Sequence, residues 1–155
     1  MLPPFINPYI QIAQTHDYVV ILVEINDVRV IPLDGRPHLP PTVRQWKGDS
    51  RGRWEGDTLV VETTNFSARG AYDRFDPLAG ADAELRVIER FTRTDADTIL
   101  YQFTVDDPTA YTQAWSAEMP LGRTNRRLFE FACHEGNYSM VNSLSGARAE
   151  EKAGK

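Results

Sequence analysis

The segment LFEFACHEGNY, residues 128–138, places the chain's single cysteine next to a histidine and a glutamate. A nucleophilic cysteine–histidine pair requires the thiol and the imidazole within hydrogen-bonding distance of each other. The alternating pattern of RRLFEFACH predicts a strand, and neighbouring residues of a strand point to opposite faces, so Cys133 and His134 do not form such a pair. We therefore predict that Cys133 is a structural thiol, buried beside Phe129 and Phe131.

His134 shares the other face of this predicted strand with Glu130, at the point where the strand ends. A histidine titrates near neutral pH, and a nearby carboxylate would fix its tautomer and raise its basicity. The alternative is a histidine that caps the strand end and bonds to the backbone of the following turn. Both interpretations stay open, and His134 is the first candidate for a general acid or base.

A hairpin predicted over ELRVIERFTRTDADTILYQFTVDD places a carboxylate on an apolar face. A three-residue turn at DAD sets Phe91 opposite Tyr101 and Glu89 opposite Phe103. A two-residue turn would set apolar residues opposite polar ones, so the hydrophobic pattern selects the longer turn. Glu89 is therefore predicted to lie on the buried face.

Burial of Glu89 would be costly without a partner and would raise its pKa toward the range of acid–base catalysis. Tyr101 is its diagonal neighbour across the predicted hairpin, close enough to share a polar pocket. The alternative is a structural ion pair with an arginine such as Arg53 or Arg127, which also perturbs pKa values.

Several aromatic residues and one further carboxylate are candidates for lining a pocket that takes a small apolar or aromatic molecule. The alternative for the aromatic side chains is that they belong to the ordinary core. The predicted substrate-binding residues are Trp46, Trp54, Glu62, Phe103 and Trp115, with Tyr72 and Phe75 as further aromatic candidates.

Metal and cofactor sites find little support in the sequence. The histidines His16, His38 and His134 form neither an HxH nor an HExxH pattern. A single cysteine excludes an internal disulfide and a cysteine-rich zinc site. GDSRGRWEGD lacks the Walker spacing, and no G-x-S-x-G nucleophile pattern is present. We therefore predict no metal and no other cofactor.

The elements that must position these residues are mostly strands. DYVVILVE and DVRVIPL predict one hairpin, and GRWEGDTLVVETTNF predicts a tight one at Gly56 and Asp57. About eight short strands at the spacing of 8–12 residues indicate an antiparallel all-β domain. We predict an eight-stranded barrel or half-closed barrel, lipocalin-like in size, with few short helices. Such a barrel can hold one small ligand.

Length and composition predict a single domain over residues 1–155, with an N-terminal arm at 1–16 and a frayed tail at 146–155. The net charge of −5 and the pI near 5.2 argue against a nucleic-acid partner. The longest apolar run, YVVILV, has the length of a strand, so no membrane association is predicted. MLPPFINPYI does not have the pattern of a signal peptide, and the localisation stays open between the bacterial cytoplasm and, if the N-terminus is trimmed, the periplasm.

The motifs DGRPH, GDSRGRWEGDTLVVETTNF and ACHEGNY, with ERFTR and DDPTAYTQAW, resemble a family of mostly uncharacterised bacterial proteins from soil, sphingomonad-type and metagenomic genomes. The resemblance covers about residues 3 to 151 and implies no particular activity. It implies an exported protein with Met1 as an internal or trimmed start. It also directs attention to the polar motif residues Asp34, Arg36, His38, Asp49, Arg53, Trp54, Glu62, Asn65, Glu89, His134, Glu135 and Asn137.

Three functions fit these features. The first is a cofactor-independent lyase, isomerase or cyclase that acts on a small apolar or aromatic molecule in a barrel pocket. In it His134 is the general base or acid, with Glu89 or Glu62 as its partner. Tyr101 is the orienting donor and Arg53 stabilises an anion. The second is a non-catalytic, lipocalin-like carrier, and the third is an interaction module whose edge strand pairs with a partner or forms a homodimer.

Overall fold

A computed structural model describes residues 9–24, 27–68, 83–129 and 136–154 of the chain. These parts contain eight strands and one helix. The strands are β1 (Ile10–Gln14), β2 (Tyr18–Val23), β3 (Asp27–Pro32), β4 (Asp49–Glu55), β5 (Thr58–Thr64), β6 (Arg86–Arg93), β7 (Thr98–Asp106) and β8 (Trp115–Gly122), and the helix is α1 (Ser139–Lys152).

The strands form two antiparallel sheets in which sequence neighbours are also neighbours in space. β1, β2 and β3 form a three-stranded sheet, and β4 to β8 form a five-stranded sheet in the order of the chain. The mainly β, antiparallel prediction is confirmed. Within the described residues, strand hydrogen bonds do not join the two sheets into a closed barrel.

The β6–β7 hairpin has the register that the hydrophobic pattern selects. Phe91 pairs with Tyr101, Glu89 with Phe103, and the ladder continues on both sides of these pairs. The Thr94 amide donates to the carbonyl of Thr98 at 3.1 Å, which closes the predicted three-residue turn. These pairs confirm the predicted register. A slip of one residue would have moved every side chain of the strand to the other face of the sheet.

The N-terminal segment contains a strand that the sequence analysis did not predict. β1 lies inside the predicted arm, where its isoleucines Ile10 and Ile12 pair with Val23 and Ile21 of β2. The short IQIAQ stretch follows a segment with several prolines. It forms a strand because it pairs with β2.

The C-terminal region also differs from its prediction. α1 runs to Lys152 and so includes most of the predicted frayed tail at 146–155. α1 buries no residue, and Met140 is 75% exposed. No helix in the described parts is both long and apolar enough to cross a membrane. RRLFEFACH, predicted as the last strand, lies partly outside the described residues, and 123–129 are not in a strand.

The core lies between the two sheets. Buried side chains of β2 and β3 pack with those of β5, β6 and β7. Gly52 permits this close approach, because a Cβ atom there would lie 2.7 Å from Leu33 Cδ2 and 2.8 Å from Ile31 Cγ2. We call the face of the five-stranded sheet that carries Glu89 and meets the other sheet its inner face. The core residues are Val19, Ile21, Ile31, Leu59, Val61, Phe66, Leu85, Val87, Phe91, Tyr101, Phe103 and Val105.

Candidate functional site

Glu89 lies at the centre of a buried polar network on the inner face. Its side chain is 1% exposed, and both carboxylate oxygens accept hydrogen bonds. Arg29 Nη2 donates to Oε2 at 2.5 Å, and the Tyr101 hydroxyl donates to Oε1 at 2.9 Å. The structural ion pair is therefore present, but its arginine is Arg29, and the expectation of Arg53 or Arg127 is wrong.

Arg29 reaches this carboxylate from the three-stranded sheet. The alternation of DVRVIP places Arg29 on the same face as Ile31, and this face packs on the five-stranded sheet. Its guanidinium also donates to Ser50 Oγ at 3.0 Å and to Thr63 Oγ1 at 2.8 Å. Those two hydroxyls are 2.9 Å apart, which completes a network that links β3 to the inner face.

The surroundings of the Tyr101 phenol in this network change its pKa. Burial raises the pKa of Tyr101 far above its usual value, and the negative charge of Glu89 raises it further. The phenol therefore stays protonated and acts as a donor. Because both oxygens of Glu89 already accept hydrogen bonds, the network resembles a structural unit more closely than a proton-transfer centre.

A cleft of about 570 Å³ opens between the two sheets at the end that carries the β4–β5 and β6–β7 turns. Its walls are apolar, and its mouth carries a few polar side chains. The walls are formed by Ile12, Val19, Ile21, Trp54, Leu59, Phe91 and Ile99, and Gln14, Gly56, Asp57 and Arg93 complete the lining.

The cleft and the polar network are adjacent but distinct. Phe91, in the wall of the cleft, follows Glu89 on the same face of β6. Its ring centroid lies 4.7 Å from that of Tyr101, whose hydroxyl bonds to Glu89. Glu89 itself does not line the cleft. The network therefore supports the back of the cleft instead of presenting a catalytic carboxylate to it.

Of the predicted aromatic binding residues that the structure describes, only Trp54 lines the cleft. This side chain is 46% exposed and lies on the inner face at the edge strand β4. Trp46 is 65% exposed in the loop before β4 and does not line the cleft. Phe103 is buried in the core, and its ring centroid lies 5.7 Å from that of Trp115.

Two predicted polar site residues lie on the face of the five-stranded sheet opposite Glu89. Glu62 accepts a hydrogen bond from Arg86 Nε at 2.8 Å. Arg53 donates to Glu55 and its side chain is 58% exposed. Strand alternation separates both residues from the cleft. Contrary to the sequence-based expectation, they do not lie together with Glu89.

The remaining candidates lie in the parts of the chain that the structure does not describe. His134, with Cys133 and Glu135, lies outside the described residues, as do Tyr72 and Phe75. In the described parts, no group of three or more histidine, cysteine, aspartate or glutamate residues has an arrangement that could hold a metal ion.

A second polar cluster forms around Asp49 at the start of β4. Its carboxylate, 5% exposed, accepts a hydrogen bond from the Leu39 amide at 2.9 Å and lies 3.1 Å from His38 Nδ1. Arg51 Nη1 is 2.7 Å from its other oxygen. A carboxylate beside Nδ1 favours the tautomer that leaves Nε2 as the basic nitrogen. His38, 26% exposed, thus has the arrangement of a general base.

The loop that carries His38 is held by a buried asparagine. Asn65 has a positive φ of 59°, and its amide donates to the carbonyls of Leu39, Pro40 and Val43. Such a conformation in a buried non-glycine residue persists only where the surroundings enforce it. The resemblance had directed attention to these positions, but their pairing could not be seen in the sequence, because composition predicts only a loop there.

Together, these features define an antiparallel two-sheet β protein with an apolar cleft and two buried polar clusters. Comparison of the chain with protein-family models, with curated proteins and with solved structures gives no match. The resemblance to a bacterial family therefore stays a prediction, and function has to be argued from the site.

Proposed function

We propose that the protein binds a small, largely apolar molecule in the cleft between its sheets and does so as a carrier. The observation that supports this most directly is the cleft itself, with apolar walls and a volume of about 570 Å³. Small-molecule pockets span about 300–1,000 Å³, with mostly apolar walls and a few polar groups that orient the ligand. In this proposal the two sheets act as the walls of a half-closed, lipocalin-like barrel.

The paired carboxylates of the five-stranded sheet favour binding over turnover. Glu89 is paired with Arg29, Glu62 with Arg86, and Glu55 with both Arg53 and Arg90. A general acid or base has to exchange a proton with the substrate, whereas the oxygens of these carboxylates are already engaged by arginine side chains. An apolar cleft backed by a carboxylate that is already paired suits a carrier better than an enzyme.

Binding in the cleft is tested with the neutral fluorophore phenylnaphthylamine, whose emission rises in apolar surroundings. Trp54→Ala should weaken its binding about tenfold, because the variant removes an aromatic wall worth about 1.4 kcal/mol. Trp46→Ala is the matched control, since this tryptophan is also exposed but lies outside the cleft. Fluorescence titration gives the dissociation constant of each variant.

Equal weakening by the two tryptophan variants would place the fluorophore elsewhere on the surface. Absence of binding to the wild type would reject the carrier function for ligands of this size. A hydrophobic probe is suitable because its affinity follows the apolar area it buries.

A second candidate function is acid–base catalysis, and His38 is the observation that favours it. Asp49 is placed behind its Nδ1, and Nε2 forms no hydrogen bond with the described residues. This nitrogen would take a proton from the substrate in the lyase or isomerase chemistry expected from the sequence.

We expect that a benzisoxazole, which opens when a base removes its carbon-bound proton, would report this activity. His38→Gln should lower the protein-dependent rate about a hundredfold, the typical contribution of a positioned base. His134→Gln is measured in parallel, because the residue pattern predicts the base at that position. A rate that responds only to His134→Gln would assign the chemistry to that residue, and a rate that responds to neither would reject both.

A further inference from the structure

We infer that the ligand of the cleft carries an acidic head group, and that Arg93 recognises it. This inference rests on the proposed binding function and adds the chemical class of the ligand. It predicts an amphipathic organic anion, with an apolar body between the sheets and a carboxylate or sulfonate at the mouth.

Arg93 differs from the other arginines of the described strands in having no carboxylate partner there. Its Nε donates to the carbonyl of Asp95 and its Nη2 to the carbonyl of Ala96, each at 2.9 Å. The arginines with an ion-pair partner are Arg29, Arg51, Arg53, Arg86 and Arg90. Among the arginines of the described strands, Arg93 is therefore the one with no carboxylate in ion-pair contact, and the neighbouring Asp95 offsets its charge only at longer range.

The two carbonyls also fix the guanidinium in place. Both belong to the turn between β6 and β7, so the side chain of Arg93 is ordered before any ligand arrives. A guanidinium has five N–H donors, and these two bonds leave hydrogens of Nη1 and Nη2 for an end-on contact with an anion. Pre-ordered donors of this kind reduce the entropy that binding loses.

Arg93 is positioned to contact the charged head group of a ligand and not its apolar body. It is the last residue of β6, on the same face as Phe91, and both line the cleft. Phe91 forms part of the apolar wall, and Arg93 follows at the mouth. A ligand that extends along this face would therefore meet apolar side chains first and the cation last.

Asp57 is the acidic residue of the same lining, and it provides a second test of the charge preference. The pairing of Thr58 with Thr92 places Asp57 and Arg93 across from each other at the next position of the ladder. Asp57 weakens the attraction for an anion without pairing directly with Arg93. Its removal should therefore strengthen anion binding, whereas it would weaken binding of a cation.

Two fluorophores with the same ring system distinguish the contribution of the head group to binding from that of the apolar body. Anilinonaphthalene sulfonate carries one sulfonate that phenylnaphthylamine lacks. At low ionic strength, Arg93→Gln should weaken sulfonate binding about tenfold and change phenylnaphthylamine binding by less than about twofold. Asp57→Asn should tighten the sulfonate alone. Arg90→Gln, on the opposite face of the same strand, should change neither.

The possible failures are distinguishable. If Trp54→Ala weakens both probes and Arg93→Gln changes neither, or changes both equally, the cleft binds ligands but the acidic head group is rejected. If Asp57→Asn weakens the sulfonate, the sign of the charge preference is wrong. If the wild type binds neither probe, the binding function fails together with the inference. Arg93→Lys keeps the charge and should retain part of the preference for the sulfonate.

Discussion

Glu89→Gln is expected to lower the free energy of unfolding by about 3–5 kcal/mol, the usual cost of removing one partner of a buried ion pair. Glutamine keeps the shape of the side chain, so the loss reports charge and hydrogen bonding instead of a cavity. The Arg29 guanidinium, 12% exposed, would be left without its counter-charge between the sheets. The Tyr101 hydroxyl would lose its charged acceptor at the same time.

Urea denaturation followed by far-ultraviolet circular dichroism measures this change, provided that the slope of the transition stays constant. Glu62→Gln is the matched control, because Glu62 also pairs with an arginine but lies on the opposite face of the sheet, where its side chain is 27% exposed. That variant should lose less than about 1 kcal/mol. Equal losses in the two variants would contradict the assignment of Glu89 to a costly buried charge.

The double variant Arg29→Met, Glu89→Leu tests whether the loss of stability in Glu89→Gln comes from the unpaired charge of Arg29. Removal of both charges leaves no unpaired ion, so the double variant should regain a large part of the stability that Glu89→Gln loses. We expect the stability to recover only in part, because the Ser50 and Thr63 hydroxyls lose Arg29 as their donor. These two hydroxyls can still bond to each other.

The local part of this network could be predicted from the sequence, and its long-range part could not. The alternation of β6 and β7 and the length of their turn place Glu89 inward near Tyr101, and all of this lies within one hairpin. Arg29 is separated from Glu89 by 60 residues and belongs to the other sheet. Its inward position could be predicted from DVRVIP, but its partner depends on how the sheets pack.

The same limit explains the other differences. Strand patterns predict that eight strands exist, but closure of a barrel depends on pairing between distant strands, which no local pattern specifies. Aromatic type selected Trp54, which lines the cleft, together with Trp46, which does not, because type alone does not say which face or loop carries a side chain. The loop that carries His38 is held by Asn65, 27 positions further along the chain. Composition does not predict that Asn65 adopts a left-handed conformation.

Asp49→Ala is expected to lower the free energy of unfolding by about 3 kcal/mol and to release the loop around His38. The variant removes the charged partner of Arg51, 17% exposed, and leaves the Leu39 amide without an acceptor. Each unsatisfied buried donor costs about 1–3 kcal/mol, and an unpaired charge costs more. Because the Asn65 amide still holds the Leu39 carbonyl, we expect the loop to loosen without the sheets separating.

Two measurements separate these consequences. Urea denaturation gives the global loss, and hydrogen exchange at the Leu39 amide reports local opening, since this amide loses its acceptor. Asp34→Ala is the matched control in the same loop, because Asp34 bonds to Arg36, two residues away, at the surface, and it should change neither quantity. Unchanged exchange at Leu39 in Asp49→Ala would mean that Asn65 alone holds His38 in place. Faster exchange with unchanged global stability would confine the role of Asp49 to positioning His38, which is what a catalytic histidine requires and a carrier does not.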